Sequence, residues 1–488
     1  MAEPSPLRRH SPPSGGDRQH RRPPRPIPLL LFEPLKSTPN NRTRWSMMTT
    51  QLQLSSNAPT ATRSSTRAWA VSTMLVFLAL VNWADKAILG LVAVPMMKDL
   101  GIGPGEYGTL AGAVYFLFAA SAVAAGFLAN RVPVKWLLIG MVTIWSLSQF
   151  AIWLAPTFVL IFLCRIVLGL GEGPSAGLSF HAAAKWFRNE ERNLPVALQN
   201  VGSFGGIAVA APGLTYIVNH WGWHWAFFAV GMAGLVWLAA WAFIGKDGPY
   251  GGQTKGDPDV VAADSVFDGS IRIPYRKILG CRSFIGCVCV GLSAYWSLAI
   301  LSAWMPAYLR NAQGYSATGA ANVVMAISLT AIAFLILEAV ATNYLMKRGV
   351  SSRVARGMMA STSTAIAGVF VALVTLTTPG AAQIFVLCIG FGLGLVAFTT
   401  GAVSISEFVP ALQRGAVLGI YVAILTSPGV YAPMIFGWIV SAAGAGDRGY
   451  TIALLISGAL VCVGGIAGLV LIDPRRDALK MMTFAEQV

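Results

Sequence analysis

Twelve apolar runs, most close to the roughly 20 residues a helix needs to cross a bilayer, recur between Ala68 and Ile472 with short polar breaks between them. No other feature narrows the fold so far. Inside hydrocarbon every backbone N–H and C=O must be satisfied within the protein, so runs of this length point to helices packed as a bundle. The first six runs fall at 68–94, 107–129, 136–154, 158–180, 195–218 and 225–244. The second six fall at 283–309, 319–346, 358–378, 382–405, 416–441 and 450–472. The chain therefore reads as an all-α membrane protein: a basic tail (1–67), a six-helix bundle (68–244), a polar linker (245–282), a second six-helix bundle (283–472) and a terminal tail (473–488).

Charge is scarce and unevenly placed. Only 11% of the 488 residues are charged, where a soluble domain carries about 25%, which excludes an ordinary soluble enzyme. The net charge of +15 would suit a nucleic-acid binder, but residues 1–67 alone hold eleven Lys and Arg against three Asp and Glu. The excess belongs to a tail and to loops, so no nucleic-acid partner is expected. The tail is rich in Pro, Arg and Ser without periodicity and is expected to be disordered. Its one apolar stretch, Ile27 to Phe32, is broken by Pro28 and is too short for a signal peptide. A true start at Met47 or Met48 is favoured over a basic arm lying on anionic lipid.

Six cysteines lie mostly in apolar runs and none forms a CxxC pair, so neither disulfide framework, metal site nor cofactor is expected. Orientation follows from the loops, because Lys and Arg resist translocation. With the N-terminus inside, the cytoplasmic loops and C-terminal tail after residue 67 hold nineteen Lys and Arg, and the external loops hold three, Lys98, Arg310 and Arg448. Both termini are expected in the cytoplasm, with the chain as a monomer in the inner, or plasma, membrane.

An ionisable side chain at membrane depth costs about 2.5–3.5 kcal/mol on the insertion scale, so each one needs a reason. Five qualify: Asp85 and Lys86 in the first run, Arg165 and Glu172 in the fourth, and Glu338 in the eighth. Neighbours on a helix point about 100° apart, so Asp85 and Lys86 must each find a partner on another helix or in a wet cavity. Arg165 and Glu172 are almost two turns apart, on one face at two depths about 10 Å apart. Gly169 on the same stripe leaves room beside them, and Pro174 loosens the local hydrogen bonding. Four charges spent only on gluing two helices would be a poor use of them, because buried pairs rarely outperform apolar packing. The residues themselves point to cations that receive an anion and carboxylates that exchange protons.

Family resemblance starts at the turn between the second and third runs, Gly126-Phe-Leu-Ala-Asn130-Arg131, which has a basic counterpart at Lys347-Arg348 in the second half. With the six-plus-six layout, this resembles the major facilitator superfamily. Asn130 stands where that signature usually carries an acidic residue. A closer likeness lies in Asn82-Trp83-Ala84-Asp85-Lys86 and in Arg165-x-x-x-Gly169-x-x-Glu172-Gly173-Pro174. It extends through Lys185-Trp186-Phe187, His224-Trp225-Ala226-Phe227 and Trp304-Met305-Pro306-Ala307-Tyr308-Leu309. These are similar to the anion:cation symporter branch, which carries sugar acids and other organic anions. The resemblance implies proton carriers at Asp85 and Glu172, substrate binding at Lys86, and coupling between them at Arg165. The branch usually has Arg where this chain has Lys86, and lysine offers a point charge without a planar fork.

Weaker candidates complete the expected site. Gln199 and Asn200 in the fifth run could hydrogen-bond a hydroxylated substrate, Tyr295 could face the cavity, and Asn130, Arg131 and Glu338 are candidate gate residues. The expected activity is proton-coupled uptake of a small organic anion, a sugar acid, dicarboxylate or aromatic carboxylate, by alternating access of the two halves. A proton-coupled antiporter that exports a drug or metabolite is the alternative. An enzyme is not expected, since no catalytic constellation accompanies the spans.

Overall fold

A computed structural model describes residues 66–129, 131–187, 193–248, 272–444 and 446–485. The tail and most of the linker lie outside them, as does Asn130. The regular secondary structure of the described residues is all helical, with no strand among them. The first half comprises α1 (Thr66–Leu100), α2 (Pro104–Leu128), α3 (Val134–Leu154), α4 (Phe158–Ala183), α5 (Leu194–Trp221) and α6 (Trp223–Ile244). The second comprises α7 (Arg282–Ala303), α8 (Ala317–Lys347), α9 (Arg353–Leu376), α10 (381–408), α11 (Gln413–Ala442) and α12 (Asp447–Leu471). Eleven of these are long and apolar enough to cross a membrane, with α2, α4 and α11 each breaking near its middle. The other, α10, is two shorter helices, Ala381–Gly394 and Ala397–Phe408, meeting at Leu395-Val396. The expected twelve-helix membrane fold is therefore present.

Local sequence explains where helices begin and turn. Thr157 and Ser316 cap α4 and α8 by accepting from the backbone N–H groups of Leu160 and Gly319, satisfying donors that a helix start leaves open. Gly222, at φ 90°, makes the single-residue turn between α5 and α6, a conformation that costs a residue with a Cβ. Within each half the third and sixth helices pack together, α3 on α6 and α9 on α12, and the first helix lies on the sixth in both. The two bundles thus repeat one packing plan.

The halves meet mainly at the end of the molecule away from Thr66. There α2 (residues 104–113) lies along α11 (residues 428–442), α5 lies against α8, and α1 against α7. Backbones touch directly along these seams. A Cβ on Gly108 or Gly112 would strike the carbonyl oxygens of Pro433 and Val430, and one on Gly90 would strike that of Ser302. Small residues permit this approach, and dispersion rather than hydrophobic transfer holds such seams inside a bilayer. The Tyr107 hydroxyl donates across the junction, 2.9 Å from the carbonyl oxygens of both Leu89 and Ala303. Trp304 Nε1 donates to Pro433 O at 3.0 Å. Towards the other end, residues 118–128, 175–186, 397–408 and 411–425 pack chiefly within their own halves. The junction is closed at one end and looser at the end that carries α1's start and the linker.

Two features depart from the sequence reading. The space expected beside Gly169 does not exist, because the Val114 carbonyl fills it; glycine there serves helix contact rather than cavity. Residues 473–488, expected as a tail, contain a helix, α13 (Pro474–Ala485). Its Ala478 and Met481 are buried, and Asp477 accepts from the backbone N–H of Ser283 at 2.8 Å. Burial pushes the Asp477 carboxyl up, but hydrogen bonds from Arg476 and Ser283 outweigh it and hold the group below the usual carboxylate range. A depressed folded-state pKa contributes stability above the unfolded value, about 3.9, and that contribution is lost as pH falls through the folded value. Asp477→Asn should therefore lower the melting temperature at neutral pH, at a cost of about 1–3 kcal/mol for the disturbed buried group. The gap from wild type should be flat from about pH 5 to 8 and close below about pH 4; thermal unfolding across that range checks it.

Candidate functional site

Lys86 of α1 and Arg165 and Glu172 of α4 converge on one small cavity between the halves. Lys86, Arg165 and Glu172 line it from the first half together with Tyr115, and Ala299, Ser302 and Pro433 line it from the second. Its volume is about 20 Å³, room for roughly one water molecule.

Lys86 Nζ lies 2.9 Å from Glu172 Oε2 and donates to Asn82 Oδ1 at 2.5 Å, one turn back on its own helix. The faces of Trp83 and Phe118 stand 5.7 Å from the same ammonium. Its charge is therefore fully engaged. Asp85, completely buried, points to the other side of α1, where Gln149 Nε2 of α3 donates to Oδ1. Asp85 Oδ2 and Gln149 Oε1 have no hydrogen-bond partner among the described residues. Glu172, Arg165 and Lys86 all lie within electrostatic reach of Asp85.

Both Glu172 oxygens, though Oε2 is ion-paired with Lys86, also lack a hydrogen-bond partner among the described residues. Arg165 is the cavity cation without an ion pair among them. It is 2% exposed, yet Nε and Nη2 have no hydrogen-bond partner among the described residues. Its guanidinium carbon sits 5.6 Å from the centre of the Phe227 ring. A buried guanidinium with open donors is costly unless an anion completes it. Summed over Asp85, Lys86, Arg165 and Glu172 the formal charge is zero, but the pairing is uneven: Lys86 is closed by Glu172 and Arg165 is open.

The remaining candidates fall into different places. Tyr295 is buried behind the cavity wall, edge-on to Tyr115 at 5.7 Å and tilted against Phe398 at 5.6 Å. Gln199 is buried, with Nε2 unpartnered among the described residues, whereas Asn200 is exposed. Neither lines the cavity. Glu338 is buried on α8, accepts from Thr342 Oγ1 at 3.5 Å, and lies at the α8–α9 seam where Thr342 also donates to Ala355 O. Arg131 is exposed, and Asn130 lies outside the described residues. Ser352 and Arg356 of the second half both hold Glu407, a pairing that spacing along the chain does not reveal.

Sequence reasoning missed Gln149, Tyr115 and Ser302. Gln149 carried a signal, a lone amide within an apolar run. Tyr115 and Ser302 carried none, because an aromatic or a serine in a membrane helix is ordinary and only its position at the junction makes it a lining residue.

The family model described as Major Facilitator Superfamily matches residues 75–433. Over 398 residues the chain is 24% identical to the "Probable sulfoacetate transporter SauU" of Cupriavidus necator, covering 80% of this chain and 90% of that one. It is 24% identical over 443 residues to the "Probable galactarate/D-glucarate transporter GudP" of Escherichia coli, covering 86% and 96%. Among solved structures, the fold is similar to a bacterial homolog of the human lysosomal transporter Spinster in an inward-facing and occupied conformation. The TM-score is 0.71 at 15% identity, with 86% of this chain and 99% of that one covered. These relatives bear out the likeness to the anion:cation symporter branch and the reading of the chain as a transport protein rather than an enzyme.

Proposed function

Because the chain belongs to the Major Facilitator Superfamily, we propose that it is a proton-coupled symporter that takes up a small organic anion by alternating access. The observation that carries this reading is Arg165, buried in the central cavity with two donors open. An incoming carboxylate or sulfonate completes it, and bidentate geometry suits the planar guanidinium. The curated relatives named for sulfoacetate and for galactarate and glucarate support an organic anion as the substrate class.

The Lys86–Glu172 pair at 2.9 Å supports coupling to protons. While Glu172 is ionised, Lys86 is occupied. A proton on Glu172 breaks the pair and releases the ammonium to a second anionic or hydroxyl group of the substrate. Asp85, held by Gln149, is the second proton carrier. Binding of the anion and binding of the proton thereby favour one another, which is the linkage a symporter requires. With the termini in the cytoplasm, as the loop charges indicate, the looser end of the junction faces inward and the cavity empties to the cytoplasm of a cell bounded by its inner membrane. The remaining half of the cycle opens the α2–α11 and α5–α8 seams.

Glu172→Gln separates coupling from binding. The amide mimics a protonated carboxyl, so Lys86 is permanently free. In proteoliposomes the variant should exchange internal for external substrate and fail to accumulate it under an imposed pH gradient. The assay uses labelled acids from a panel of sugar acids, dicarboxylates and aromatic carboxylates. Unchanged gradient-driven accumulation by the variant would remove Glu172 from the proton path.

A further inference from the structure

Beyond the central cavity, a strongly basic groove of about 350 Å³ lies between the short helix Tyr275–Leu279, the start of α7 and the terminal helix α13. Arg276, Lys277 and Arg282 line one wall, and Lys480 lines the other. All four are exposed, and none has an ion-pair partner among the described residues. The single carboxylate in the lining, Asp477, is already engaged by the Ser283 N–H and by Arg476. Four cations thus face one volume with no counter-charge left for them.

The groove is built rather than incidental. Gln413 clamps the segment before the short helix with two backbone bonds, from Ile273 N–H to Oε1 and from Nε2 to Ile273 O, both at 2.8 Å. Ser283 Oγ accepts from Asp473 N–H at 2.9 Å, and Arg476 donates to Leu471 O at 3.2 Å, fixing α13 against the bundle. Lys277 lies over the Phe484 ring at 3.2 Å and joins the two walls.

Position and rim identify the occupant. The groove sits where α7 begins, at Arg282, and just past where α12 ends, at Leu471. Both are membrane spans, so the four cations stand at headgroup depth. Beside them Leu479 is 61% exposed and Tyr275 44% exposed. This apolar rim gives a soluble anion nothing, whereas acyl chains and the interface favour it. We propose that this groove binds the phosphate of an anionic phospholipid, with Arg276, Lys277, Arg282 and Lys480 around the headgroup and the α13 rim against its chains.

The test uses the full-length protein in detergent, titrated with phosphatidylglycerol or phosphatidylcholine and read by native mass spectrometry. Phosphatidylglycerol should bind at least about tenfold more tightly than phosphatidylcholine. Each basic residue near such a surface contributes about 1 kcal/mol, so the double variant Arg276→Gln, Lys480→Gln should lose about 30-fold. The charge-preserving swap Arg276→Lys, Lys480→Arg should retain binding, which separates loss of charge from loss of fold. Arg475→Gln, on the same helix outside the groove lining, should leave it unchanged. Equal binding of the two lipids, or full retention in the double glutamine variant, overturns the proposal. Displacement of the lipid by millimolar inorganic phosphate also overturns it, since the groove would then be a soluble-anion site.

Discussion

Arg165→Met should abolish substrate recognition while leaving the fold intact. The substitution keeps most of the side-chain volume and removes a buried charge whose Nε and Nη2 have no hydrogen-bond partner among the described residues. Truncating one member of a buried, hydrogen-bonded charge pair costs about 2–5 kcal/mol, or roughly 30-fold to several thousand-fold in affinity. The empty protein loses none of those bonds, so its own melting temperature should fall little. Ligand-induced thermal shifts over the acid panel measure both quantities at once. Arg165→Lys should fall between wild type and Arg165→Met, because it restores the charge without the planar fork. If Arg165 only braced α4, the pattern would invert: the empty protein would melt early and the ligand shift would survive.

Gly108→Leu should shift the conformational balance away from the closed end seen here. The leucine would have to displace the Pro433 carbonyl, a backbone atom that cannot swing aside. Forcing extra carbons into a packed seam costs about 1–3 kcal/mol; at about 2 kcal/mol the equilibrium between the two orientations moves about 30-fold. Spin labels at Lys98→Cys and Thr318→Cys, exposed positions on α1 and α8 beside the junction, would report it in a background lacking accessible native cysteines. The expected change is a longer, broader distance distribution and a large loss of transport. An unchanged distribution would mean that the seam yields elsewhere and does not govern the closed end.

Much of the architecture was legible from the chain. Twelve helices, their approximate ends and the division into halves follow from hydrophobic run length, because a bilayer forbids unsatisfied backbone and leaves few alternatives. The terminal helix α13 was not legible. Its sequence is polar enough to read as a tail, and only the burial of Ala478 and Met481 and the Asp477–Ser283 bond make it part of the bundle. Gly169 was misread for a related reason: an absent side chain in a sequence can equally mean open space or a neighbour's backbone, and here Val114 occupies the place.

The sequence alone determined that this is a multi-spanning helical membrane protein and that Asp85, Lys86, Arg165 and Glu172 require an explanation, because the cost of charge at membrane depth is independent of packing. Tertiary structure decided what those charges do to one another. Spacing along single helices cannot tell which cation meets which carboxylate across the gap between α1 and α4. The fold pairs Lys86 with Glu172, hands Asp85 to Gln149 of α3, and leaves Arg165 buried with open donors. Pairing depends on distances of a few ångströms between helices far apart in the chain, and only their packing sets those distances.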